Sequence, residues 1–125
     1  MARVTGIGGV FFKSGDPRAL RDWYVEHLGL PVDDEGFVVF WWGDQTRGST
    51  VWGPFPADTT AFEWPTDKQW MVNYRVDDLD GMLASLRARG VSVADETFTD
   101  QNGRFGHCWD PEGNRVQLWQ PSSGM

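Results

Sequence analysis

Two stretches of this chain repeat one another. Val10-Phe11-Phe12-Lys13 is followed by Asp16-Pro17-Arg18-Ala19-Leu20 and a helical run to Leu28-Gly29-Leu30. Val72-Asn73-Tyr74-Arg75 is followed by Asp78-Leu79-Asp80-Gly81-Met82 and a helical run to Arg89-Gly90-Val91. Asp16 and Asp78 stand 62 positions apart, about half of the 125 residues. Self-similarity at a fixed offset marks a duplicated structural unit. Two related half-sheets can face one another and enclose a site on their concave side.

The local signals within each unit agree. Asp16 is a good N-cap and Pro17 suits the first helical position. Leu20, Trp23, Tyr24 and Leu28 recur at helical spacing before Gly29 ends the helix. Strands are expected at 7–13, 37–42 and 49–52. In the second half Trp70 to Val76 reads as a strand. Asp78 then caps a helix with Leu79, Met82, Leu83 and Leu86 on its apolar face, ended by Gly90. Further strands are expected at 91–93, 97–99, 105–109 and 115–120. Asn102-Gly103 and Asp110-Pro111-Glu112-Gly113-Asn114 supply the turns. The expected class is α+β, with two tandem βαβββ modules, about 5–56 and 69–121, joined by a linker at 57–68. Together they would form a curled mixed sheet around a cavity.

Strand alternation sorts the side chains. Val10 and Phe12, then Val72, Tyr74 and Val76, are assigned to the helix side, as are Cys108, Val116 and Leu118. The opposite, concave side receives Phe11, Met71, Asn73, His107, Trp109, Gln117 and Trp119, with Trp52 joining them. An aromatic cup with a few neutral polar groups is the usual make-up of a small-molecule site. Of the eight tryptophans, Trp23 and one of Trp41 and Trp42 are assigned to packing. Trp52, Trp109 and Trp119 are left as candidates to stack on a planar or cationic ligand.

The strand–Asp-Pro–helix pattern with Trp23-Tyr24 and Leu28-Gly29-Leu30, the run Tyr74 to Asp80, and Asp110-Pro111-Glu112-Gly113-Asn114 with Arg115-Val116-Gln117-Leu118 resemble the vicinal oxygen chelate superfamily. That group includes glyoxalase I, extradiol dioxygenases, fosfomycin resistance enzymes and bleomycin resistance proteins. The resemblance covers nearly the whole chain. It implies paired βαβββ modules of the glyoxalase/bleomycin resistance fold and a homodimer. It leaves the chemistry open, because this fold hosts several reactions as well as metal-free binders.

Metal-using members of the superfamily carry ligands at positions that align with Gly9, Met71 and Gln117 of this chain. Glycine offers no donor, methionine suits hard cations badly, and an amide is weaker than a carboxylate. The expectation is a protein without cofactor or divalent metal.

Neither histidine supports a catalytic array. His27 precedes a helix end, where positive charge is favoured. His107 has no carboxylate partner set by spacing and reads as structural, the alternative being proton transfer or ligand contact. Cys108 alternates into the core. Asp77, Asp78 and Asp80 read as helix capping.

Composition narrows the partners. A net charge of −7 argues against nucleic acid and anionic membranes. A single cysteine excludes an internal disulfide and suits a reducing compartment. No apolar run is long enough for a membrane span. A cytoplasmic homodimeric protein is expected, binding or sequestering a planar or cationic aromatic compound. The alternative is a glyoxalase-type lyase, isomerase or dioxygenase with a non-standard metal site.

Overall fold

The computed structural model describes residues 2–3, 7–44, 47–62 and 67–125. Trp64, the expected start of the first module at residue 5, and part of the linker lie outside them. Helix α1 spans Pro17–Leu28, strand β1 Val72–Arg75, helix α2 Leu79–Ala88, β2 Phe98–Asp100, β3 Gly103–Trp109 and β4 Arg115–Pro121. The sheet runs β1-β4-β3-β2. β1 lies parallel to β4, and β4 and β2 lie antiparallel to β3. The class is α+β, with a curled, unclosed mixed sheet.

The repeat is visible at the helix starts. Asp16 has φ −144° and ψ 86°, and Asp78 has φ −144° and ψ 91°. Asp16 Oδ1 accepts from the Ala19 N–H at 3.1 Å, and Asp78 Oδ1 from the Gly81 N–H at 3.0 Å. Each aspartate thus satisfies one of the donors that a helix start leaves unpaired. The ends are alike too, since Gly29 and Gly90 follow their helices at φ 69° and 77°, the left-handed region that glycine enters without steric cost.

Both helices feed one core. Leu20 and Tyr24 of α1 and Leu79, Leu83 and Leu86 of α2 pack with Cys108, Val116 and Leu118 from one face of the sheet. Gly106 lets α2 approach closely. A Cβ there would lie 3.1 Å from a Leu83 methyl and 3.4 Å from a Leu79 methyl.

The Asp-Pro-Glu-Gly-Asn turn is the clasp between sheet and α1. The buried Asp110 carboxylate accepts from Tyr24 Oη at 2.6 Å, Asn114 Nδ2 at 2.7 Å, and the Glu112 and Asn114 amides at 2.9 and 3.0 Å. Glu112 reaches the other way. It accepts from Ser14 Oγ at 2.6 Å and from the Gly15 amide at 3.0 Å, just ahead of α1. These donors hold the Glu112 carboxyl below its ordinary pKa, the Ser14 bond being the largest cause. The motif therefore does structural work that joins residues almost a hundred positions apart.

The first half departs from expectation. Residues 7–13, 37–42 and 49–52 form no strand. The only bridge there among the described residues joins Val32 to Val38, and Trp42–Asp44 forms a short 3-10 turn. Val10 and Phe12, expected against α1, are exposed, as are both Trp41 and Trp42. β-rich composition signals readiness to pair, but a ladder also needs a neighbouring edge. Among the described residues these segments join neither free edge of the sheet, which β1 and β2 leave open. In the second half the expected strand at 91–93 is reduced to a single bridge, Val93 to Cys108.

Candidate functional site

Register places the concave side chains in rows across the sheet. Arg75 pairs with Trp119, Trp119 with Phe105, and Phe105 with Phe98. Their groups stack in the same order. The Arg75 guanidinium lies 5.3 Å from the Trp119 ring centroid. The Trp119 and Phe105 rings are 6.1 Å apart at 5°, and Phe105 and Phe98 are 4.6 Å apart at 9°. Opposed aromatic pairs of this kind stabilise a sheet. Trp119 also donates its indole N–H to the Asn102 carbonyl at 3.0 Å.

The second row is polar. Asn73 is in register with Gln117, and Gln117 with His107. Asn73 Nδ2 donates to Gln117 Oε1 at 2.8 Å, and Gln117 Nε2 lies 3.1 Å from His107 Nε2. With its oxygen taken by Asn73, Gln117 donates to the ring through its amide nitrogen. The imidazole accepts that bond only when neutral, with its proton on Nδ1. Burial first, and the nearby Arg115 charge second, push the His107 pKa down to about 4. Geometry and electrostatics agree on a neutral ring at physiological pH.

The third row pairs Trp109 with Arg115, whose guanidinium lies 5.5 Å from the indole centroid. Met71 lies one residue before β1. Met71, His107, Trp109, Arg115 and Gln117, with Phe98 from β2 and Phe55 from the segment between the halves, line one open-sided cavity of about 680 Å³. That volume lies within the range of about 300–1,000 Å³ typical of small-molecule sites.

Of the residues singled out by alternation, Met71, His107, Trp109 and Gln117 thus line the cavity. Asn73 touches it through Gln117. Trp119 is buried behind Phe105. Phe11 and Trp52 are not brought to it, being 94% and 76% exposed. The sequence reading omitted Phe98, Phe55 and Arg115 from the lining. Arg115 could have been found by continuing the alternation from Gln117, and Phe98 by folding the hairpin about Gln101-Asn102.

The three positions that align with metal ligands do not suit a divalent cation. A side chain at Gly9 would crowd the Phe11 ring at 3.1 Å. Met71 presents a thioether. Both polar ends of Gln117 are engaged by protein partners. Among the described residues there is no group of three or more His, Cys, Asp or Glu that could hold a metal.

A mixed sheet with both helices on one face and a pocket of aromatic and polar side chains on the other defines a glyoxalase-type fold with a small-molecule-sized cavity. The chain belongs to the glyoxalase-like domain family, whose model matches residues 9–119. No curated protein matches it in sequence at a significant level. Among solved structures it is similar to TnmS3, an antibiotic binding protein from Streptomyces sp. CB03234, at 28% identity and TM-score 0.52, over 86% of this chain and 88% of that one. It is similar to a glyoxalase/bleomycin resistance protein from the same organism at 26% identity and TM-score 0.50, over 85% and 92% of the two chains. TioX from Micromonospora sp. ML1 shares the fold at 17% identity and TM-score 0.50, over 90% and 93%.

Proposed function

We propose that this protein binds and sequesters a planar aromatic small molecule on the concave face of its second half-sheet, without a metal. The observation that carries the reading is the cavity itself. Trp109 and Phe98 wall it, and its central polar groups, His107 and Gln117, are neutral and already hydrogen-bonded to one another. Such groups orient a ligand, but they offer neither a poised base nor a nucleophile. The likeness to an antibiotic binding protein at 28% identity supports binding as the task.

A homodimer completes the proposal. Val10, Phe11, Phe12, Phe40, Trp41, Trp42, Val51 and Trp52 are all exposed. So much apolar surface marks an interaction face in a soluble protein. A second copy is the fitting partner, because these are the unpaired β-rich segments of the same duplicated unit. Sedimentation equilibrium is expected to give twice the 14.2 kDa chain mass. A monomer at micromolar concentration would contradict this part of the proposal.

The binding reading is tested by titrating tryptophan fluorescence with a panel of fused-ring aromatics. Saturable quenching is expected in the wild type, weakened roughly tenfold or more in Trp109→Leu, since stacking on one aromatic is worth about 1–3 kcal/mol. A flat response across the panel would count against it. So would a stoichiometric divalent ion coordinated at Gln117 in the purified protein.

A further inference from the structure

Among the described residues, the one cation that lines the cavity has no carboxylate partner. Arg115, at the start of β4, is only part-exposed and lines the cavity. Its Nη1 donates to the Ala61 carbonyl, and its face lies over Trp109. Its Nε is buried with no hydrogen-bond partner among the described residues. The ion pairs among the described residues join Arg21 to Asp22 and Arg104 to Asp80, not Arg115 to any carboxylate. The cavity's own acids, Asp95 and Glu96, are exposed and make no bond to it. Desolvation lowers the Arg115 pKa, as partial burial does to a cation. A guanidinium held in place by a carbonyl and an indole, with no anion paired to it among the described residues, is preorganised to accept one.

We propose that the ligand of this cavity is a planar aromatic carrying an anionic oxygen, a carboxylate or phenolate, that pairs with the Arg115 guanidinium while its ring lies against Trp109. This rests on the binding reading above and specifies its ligand class. It also runs against the protein's overall charge of −7, which by itself favours a cation. The local group outweighs the global one because the exposed carboxylates are screened by water and salt, whereas Arg115 is partly withdrawn from both.

The test uses three probes on one ring system, 2-naphthoate, 2-naphthamide and 2-naphthylmethylammonium, titrated calorimetrically into wild-type protein and Arg115→Gln. The carboxylate is expected to bind the wild type roughly tenfold or more tightly than the amide, a charge-assisted bond being about twice as strong as a neutral one. Added salt should weaken the carboxylate alone. Arg115→Gln should erase the preference, bringing the carboxylate-to-amide affinity ratio to about one. Should that variant fail to fold, the carboxylate-to-amide ratio in the wild type and its salt dependence decide the matter. Equal binding of carboxylate and amide, or tightest binding of the ammonium, overturns the proposal and leaves the binding reading standing. Failure of all three probes to bind overturns the binding reading, and the proposal with it.

Discussion

Replacing Asp110 with alanine is expected to destabilise the fold by about 3–5 kcal/mol, the range for breaking a buried, multiply bonded charged group. The carboxylate accepts four hydrogen bonds, two from side chains and two from the turn's own backbone. Its removal strands the buried Tyr24 hydroxyl, which lies 2.6 Å away. Burial, and then the bond to Asp110, hold the Tyr24 pKa far above its ordinary value, so that hydroxyl cannot escape its loss of a partner by ionising. Tyr24→Phe removes donor and penalty together and should cost less, about 1–2 kcal/mol. Urea unfolding of both variants is the measurement. A loss below about 1 kcal/mol in Asp110→Ala would mean that the turn does not clasp α1 to the sheet.

Acid should weaken the fold through His107. The folded pKa of about 4 lies below the unfolded value of 6.5. Between those values the unfolded chain binds a proton that the folded chain refuses. The contribution is therefore fully present above pH 6.5 and lost as pH falls toward 4, about 3 kcal/mol across the window. Protonation would also set an Nε2–H donor against the Gln117 amide donor, 3.1 Å away. Carboxylates such as Glu112 and Asp80, whose pKa values are lowered, add their own acid sensitivity. The informative quantity is thus the difference between wild type and His107→Gln. That variant should show a shallower fall in unfolding free energy from pH 6.5 to 4. Parallel curves would show that His107 is not buried neutral.

How much of this was legible beforehand differs between the halves. The aspartate caps, the helix-ending glycines and the faces of β1, β3 and β4 all follow from spacing, because each depends on contacts within a few residues or on simple alternation. Val72 and Tyr74 do lie opposite Asn73 and Arg75, and Cys108 opposite His107. The row of Phe98, Phe105 and Trp119 needed register as well, which a single strand does not carry. Arg115 shares the concave face with Gln117 by alternation, but alternation does not say whether a long side chain at the start of a strand lies over a neighbouring ring or in solvent. The first half resisted reading for a different reason. Phe11 and Trp52 have the alternation of cup residues, but alternation states which side chains share a face and not which edge, or whose, the strand will join. The clasp at Asp110 was recognised as a turn. That its carboxylate also bonds Tyr24, 86 positions earlier, has no local signature.

The central claim is that the concave face of β1, β4 and β3 is a ligand site. Its most direct test is nuclear magnetic resonance of 15N-labelled protein titrated with 2-naphthamide, following the side-chain N–H signals. The account predicts saturable shifts of the Trp109 indole and of the Gln117 and Asn73 amides, with the Trp23 indole on α1 unmoved. Shifts confined to Trp23 and its neighbours, or none at saturating probe, would contradict it.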